Sequence, residues 1–346
     1  MAHFLKGFLF FFLPHRQKKG CNMTNFVLRW LPMLLYVLLL YSYSDNTRKL
    51  PPPSPLAGVG IDTNRIERLL YHSALAHCPA SELESLDHVD VVERDGLRSV
   101  VSYDAALNET IVAFRGTTNL RNWVDNVDLQ TVQPWTNTGI RIHRGFWRGH
   151  TALRERLRTI LLNRGIGAGS HVSATGFSLG GALATVFALD KTHEQDVNDG
   201  GAMISATTFG APKVGNAFLS KHVASNGPRL IRILHTKDFI PFTPAPAMLN
   251  DDNTHTGYRH AGEMLLYRSN ESLGRPPICH THPDMHDAAM TKYCADYERS
   301  FDSPITKLVE LTLGDDAYDI RASHAQYFGL RLGMSCELAI QRLHLT

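Results

Sequence analysis

The chain has 346 residues, 43% of them hydrophobic and 20% charged, with a formal net charge of +2. That length gives room for one large domain or two small ones with a sizeable core. A near-neutral balance leaves no electrostatic footprint for nucleic acid and no strongly charged surface.

The N-terminus reads as a leader. Residues 26–41, FVLRWLPMLLYVLLLY, are apolar, but the run is shorter and more interrupted than a spanning helix requires. Ser42-Tyr43-Ser44 follows with small residues at the spacing a signal peptidase accepts. Residues 1–44 are therefore expected to be a signal peptide or an uncleaved signal anchor, with Met23 as an alternative start. The first case makes the protein secreted or lumenal in the endomembrane system; the second tethers it to a membrane. Residues 45–56, carrying Pro51-Pro52-Pro53-Ser54-Pro55, read as a linker. Residues 57–346 show no repeat and no further boundary, and are expected to form one domain.

Within that domain the first signal is helical, over 63–77, with Ile66, Leu69, Leu70 and Ala74 on one face and Asp62 or Thr63 as cap. Strand-like runs follow at 88–92, 99–103 and 110–114. A helix is expected over 151–163, where Leu153, Leu157, Ile160 and Leu161 share a face. Then come a strand at 171–175, a helix at 180–189, a strand at 203–209, a helix at 214–224 and a strand at 229–234. Strands alternating with helices imply an α/β fold, with a mainly parallel sheet covered on both faces. Residues 268–304 show no clear period and read as a long loop held by cysteines.

Beyond Cys21 in the leader, the chain has Cys78, Cys279, Cys294 and Cys336, with no Cys-x-x-Cys pair. Zinc-ribbon and thioredoxin readings thus have no support. An even count in an exported chain favours two disulfides, and spacing alone leaves all three pairings open. Asn108-Glu109-Thr110 and Asn270-Glu271-Ser272 are candidate glycan acceptors.

The most informative segment is TGFSLGGALA, residues 175–184, at a predicted strand-to-helix junction. A G-x-S-x-G turn in that setting pushes the serine hydroxyl out above the sheet. Gly176 and Gly180 lack a Cβ that would collide with the neighbouring strand or helix. Small residues at 181, 182 and 184 let the helix pack close, and its N-terminus points positive charge at the serine. A nucleophilic serine needs a base, and the base an orienting acid, in the chain order Ser, Asp or Glu, His. Asp238 falls in a loop just past the 229–234 strand, and His324 precedes an aromatic pair near the C-terminus. Asp315, Asp316 and Asp319 are competing acids.

With these residues in hand, the sequence resembles the class 3, fungal-type triacylglycerol lipase family. The match runs collinearly through AFRGTTNLRNWVDN (113–126), HRGFW (143–147), TGFSLGGALA, TFGAPKVGN (208–216), HTKDFIPFTP (235–244), GYRHAGEMLLY (257–267) and SHAQYFG (323–329). The resemblance implies an α/β-hydrolase fold, with Ser178 as nucleophile, His324 as general base and acid, and Asp238 as orienting carboxylate. It further implies an oxyanion hole from Thr117 and the backbone N–H of Leu179. Residues 119–126 would form an amphipathic lid with Trp123 as its apolar contact. By resemblance, Cys78 pairs with Cys336, which leaves Cys279 for Cys294.

Two features depart from the family. Phe177 stands where histidine is usual, and the acid-to-base spacing is longer, mostly within 268–304. That insert carries His280, His282 and His286, a set that could ligate zinc or copper. A polar, disulfide-closed loop is the preferred reading, and no metal or organic cofactor is expected. His143 and His260 are read as structural, and Asp251-Asp252-Asn253 as a turn lacking the glycine and final glutamate of a calcium loop. The expected activity is lipid-ester hydrolysis, with no nucleic-acid or obligate protein partner. A phospholipase, a mono- or diacylglycerol lipase and a feruloyl-type esterase are alternatives within the class. A catalytically silent lipid-binding protein is the alternative outside it.

Overall fold

The first helix, α1 (Thr63–Leu75), starts where the sequence provides a cap: Asp62 accepts the backbone N–H of Arg65 at 2.9 Å. In the computed structural model the described residues are 61–116, 129–136, 138–198, 201–236, 238, 240–244, 257–268, 277–281, 292–297, 324, 326–328, 330–331 and 336–345. All lie in the unit Pro55–Thr346. The expected leader, linker, Thr117, the 119–126 lid with Trp123, Asn270, Asp251 to Asn253, His282, His286 and the aspartates at 315, 316 and 319 lie outside the described residues.

Among the described residues, eight strands form the central sheet, and each pairs with the next member of that sheet in chain order. They are β1 (Asp90–Arg94), β2 (Leu97–Asp104), β3 (Glu109–Phe114), β4 (His171–Phe177), β5 (Met203–Phe209), β6 (Arg229–His235), β7 (Glu263–Tyr267) and β8 (Cys279–Thr281). The pairs from β3 through β7 are parallel, and both edges of the sheet are antiparallel. This is the mainly parallel sheet that the alternating pattern anticipated, in the α/β-hydrolase layout that the resemblance implied. Each strand places neighbouring residues on opposite faces. Val101, Val112, Phe114, Val172 and Ala206 meet α2 (Arg144–Asn163) and α3 (Leu179–Asn198) on one side. Val100, Ile111, Ala113, Phe209, Ile233 and Leu265 meet α1 and α5 (Cys336–Leu343) on the other. Burying each of the valines, isoleucines, leucines and phenylalanines among them stabilises the fold by about 1.5–3 kcal/mol. A further helix, α4 (Ala217–Asn226), is capped by Asn216, which accepts from the Leu219 N–H.

Three boundaries differ from the sequence reading. Helix α2 starts seven residues before 151, because His143 Nδ1 caps it by accepting the N–H groups of Gly145 at 3.1 Å and Phe146 at 3.3 Å. Glycines at 145 and 149 hid that period. Strand β7 was not read as a strand, since its five residues are all buried and show no alternation. The 268–304 segment is not loop throughout: residues 279–281 form the edge strand β8, and 292–297 are helical. Three residues are too few for periodicity to register.

Two disulfides tie the unit. Cys78–Cys336 joins the end of α1 to the start of α5, with Cα atoms 5.2 Å apart, and Cys279–Cys294 anchors β8 to the 292–297 helix at 5.6 Å. A polar knot also fastens α1 to β2. Buried Asp104 accepts from Arg68 Nε at 2.7 Å, from His72 Nε2 at 2.9 Å and from the N–H groups of Ala106 and Leu107. Ser102 Oγ donates to His72 Nδ1 at 3.2 Å, so the imidazole is satisfied while neutral. Burial holds His72 below its ordinary value. Burial alone would raise the Asp104 carboxyl, but hydrogen bonds from His72 and Arg68 outweigh it and hold the group well below the usual range.

A carboxyl depressed in the folded state contributes stability above its ordinary value of 3.8, and loses it as pH falls through the lower folded value. Asp104→Ala is expected to remove about 3 kcal/mol of unfolding free energy at neutral pH, measured by urea titration. Its stability should also fall less steeply than the parent's below pH ~4.

Candidate active site

The parallel register brings the carboxyl ends of β4, β5 and β6 level: Phe177 pairs with Phe209, and Phe209 with Ile233. Ser178 follows β4 directly, with φ of +56°, a left-handed conformation that non-glycine residues adopt only under constraint. Its backbone is pinned on both sides. The Ser178 N–H donates to Phe209 O at 2.9 Å, and its carbonyl accepts from Gly181 and Ala182 at 3.0 and 3.2 Å, opening α3. The flanking glycines are required by contact: a Cβ on Gly180 would lie 2.1 Å from Phe114 O, and one on Gly176 would lie 2.3 Å from the Gly180 carbonyl carbon. Leu179 is the first residue of α3, where backbone N–H groups have no intrahelical acceptor.

Asp238 is held just past β6. Its backbone N–H donates to His235 O at 3.0 Å, and its Oδ1 accepts from the Ile240 N–H at 3.0 Å. His324 Nδ1–H donates to both carboxylate oxygens, at 2.8 and 2.9 Å, and Tyr327 Oη–H donates to Oδ2 at 2.5 Å. Both His324 and Asp238 are almost fully buried. With Nδ1–H directed at the carboxylate, Nε2 is the ring nitrogen left to carry a lone pair when the ring is neutral. Among the described residues Ser178 Oγ and His324 Nε2 are both buried and have no hydrogen-bond partner. These are the two atoms between which a proton must pass if the serine is to attack. Phe177 fills the space beside the elbow, with its ring centroid 4.4 Å from that of His324. Gly210, at φ +58°, closes the floor: a Cβ there would lie 2.6 Å from Asp238 Oδ2.

The other sequence candidates fall elsewhere. His143 caps α2, as described. His260 is kept from protonation by burial, with Arg232 and Lys213 adding to the effect. His280 lies buried in β8, 3.6 Å from Glu263. Asn108 is exposed in the turn between β2 and β3. Sequence reasoning missed Tyr327 as a partner of Asp238, and Gly210 beneath it. Both sit inside segments singled out for other reasons, and nothing local marks a tyrosine as donor to a residue 89 positions away.

A serine at a strained strand-to-helix turn, level with an Asp–His pair at the carboxyl ends of parallel strands, defines the α/β-hydrolase architecture. Among solved structures the chain resembles a lipase from Rhizopus microsporus var. chinensis, with TM-score 0.59 and 20% identity, covering 83% of this chain and 94% of that one. Residues 111–248 match the class 3 lipase family. The chain is 29% identical over 196 residues to a lipase of Rhizomucor miehei, covering 56% of this chain and 51% of that protein. It is 28% identical over 192 residues to secreted mono- and diacylglycerol lipase 1 of Fusarium solani, covering 55% and 54%. It thus spans about half the length of these curated relatives.

Tyr327→Phe removes one donor from Asp238 and leaves the His324 bond. A hydrogen bond to a charged group is worth about 1.5–3 kcal/mol, so kcat for a soluble ester is expected to fall about tenfold. Steady-state kinetics, with the unfolding midpoint as control, check this.

Proposed function

We propose that this protein is a secreted triacylglycerol lipase that cleaves lipid esters through an acyl-enzyme on Ser178. The observation that carries the reading is the buried His324–Asp238 pair beside a serine held at positive φ. His324 Nε2 takes the Ser178 proton as Oγ attacks the ester carbonyl, and Asp238 stabilises the imidazolium that forms. The proton then passes to the leaving alcohol. Water, deprotonated by the same nitrogen, releases the fatty acid. The tetrahedral oxyanion is held by N–H groups of Thr117 and Leu179, each worth about 3 kcal/mol. Residues 119–126, led by Trp123, act as a lid that yields at a lipid surface. No metal or organic cofactor enters these steps. Export is supported by the leader pattern and the two disulfides. The exposed Asn108 sequon is then open to glycosylation.

Ser178→Ala is expected to abolish hydrolysis of p-nitrophenyl butyrate and of triacylglycerol emulsions, with the unfolding midpoint little changed, because alanine keeps the Cβ at the same positive φ. Retained turnover would overturn the assignment. Parent activity on phospholipid vesicles with none on emulsions would move the substrate class to phospholipids.

A further inference from the structure

His77 lies two residues beyond α1 and is not accounted for by the triad. Its Nδ1 is 2.9 Å from the carbonyl oxygen of Ser73, which can only accept, so Nδ1 carries the proton. The lone pair on Nε2 then accepts the backbone N–H of Gly116 at 3.2 Å. Both ring nitrogens are committed, and the imidazole is neutral in one tautomer.

Gly116 stands two residues past β3 and directly before Thr117. Its other side meets the residue before the nucleophile: a Cβ on Gly116 would lie 2.7 Å from Phe177 O. The end of β3 is therefore threaded between His77 and the Ser178 turn. His77 is itself well anchored. Cys78 is bonded to Cys336, and the Cys78 carbonyl accepts from Arg98 Nη1. The Arg98 carbonyl in turn accepts the Arg115 N–H at 3.0 Å.

We propose that His77 is a positioning residue for ester hydrolysis: its unprotonated Nε2 fixes the Gly116 peptide against the Ser178 turn, one residue ahead of Thr117. This rests on the reading of Ser178 as nucleophile. The surroundings suit the role. Burial, opposed by the Ser73 carbonyl and reinforced by Arg115 and Arg98, pushes His77 down to about 4. Glu93 lies against the two arginines, and across the Phe177 ring stands His324. The acceptor is thus retained across neutral pH. Below about 4 it would become a second donor facing the Gly116 N–H.

Two substitutions separate positioning from mere packing. Asparagine reaches only the Nδ1 position, so His77→Asn keeps the Ser73 bond and loses the Gly116 acceptor. Glutamine reaches the Nε2 position, so His77→Gln keeps the Gly116 acceptor and loses the Ser73 bond. With p-nitrophenyl butyrate, His77→Asn is expected to lower kcat about thirtyfold at unchanged KM, and to slow fluorophosphonate labelling of Ser178 in parallel. His77→Gln should stay within about threefold of the parent, and the Gly116 amide should exchange faster only in the asparagine variant. Equal losses in the two variants, no loss in either, or a loss confined to KM would overturn the proposal while the parent remains active. An inactive parent would overturn the nucleophile assignment, and this inference with it.

Discussion

The turn between β4 and α3 governs where everything else in the site can be. It must carry a serine in a left-handed conformation, reverse the chain within a few residues and start a helix against the sheet it has just left. The energy stored in that backbone is offset by its surroundings. The Ser178 N–H is bonded to the next strand, its carbonyl begins α3, and Gly180 presses directly on the Phe114 carbonyl. A strained φ of about 1–3 kcal/mol persists only where neighbours over-determine it, and here the parallel register supplies them. Because β4, β5 and β6 end level, the same plane also receives Gly210 and the loop carrying Asp238.

Around that turn, the buried carboxylate gathers several donors. Asp238 receives donors from His324, Tyr327 and the Ile240 backbone, which keeps a buried carboxylate satisfied. The arrangement fixes the imidazole by its Nδ1, which is the orientation acyl transfer requires of a base. Phe177 contributes differently. Its ring lies tilted against His324 and edge-on to Tyr327, so the site's inner wall is apolar there. That wall excludes water from one side of the imidazole and leaves its orientation to Asp238.

Much of this was legible in the sequence, for identifiable reasons. The strands around Ser178 are long and flanked by helices with clear faces, so period and order sufficed to place β3 to β6 and to level Asp238 with the elbow. The Gly-Phe-Ser-Leu-Gly pattern encodes part of its own geometry: Gly176 is demanded by the Gly180 backbone four positions on, whereas Gly180 answers to Phe114 on the neighbouring strand. What was not legible depends on distant contacts. Strand β7 is uniformly apolar, β8 is three residues long, and His143 as a helix cap resembles any surface histidine until α2 is seen. Tyr327 and His77 act on groups 89 and 39 positions away, and single-residue chemistry cannot announce such partners.

The bridge between Cys78 and Cys336 closes a loop spanning 258 positions, nearly the whole folded unit. In the chain-entropy account such closure restricts the unfolded state by about 5 kcal/mol. It also changes what cleavage means for this molecule. A single peptide bond cut anywhere between the two cysteines opens a ring instead of releasing a fragment. The pieces stay covalently joined, with α1 still tethered to α5, and separate only if the bridge is reduced. The fold is thereby given a covalent memory of itself: nicked at a surface turn, the protein keeps both halves at the effective concentration of one chain.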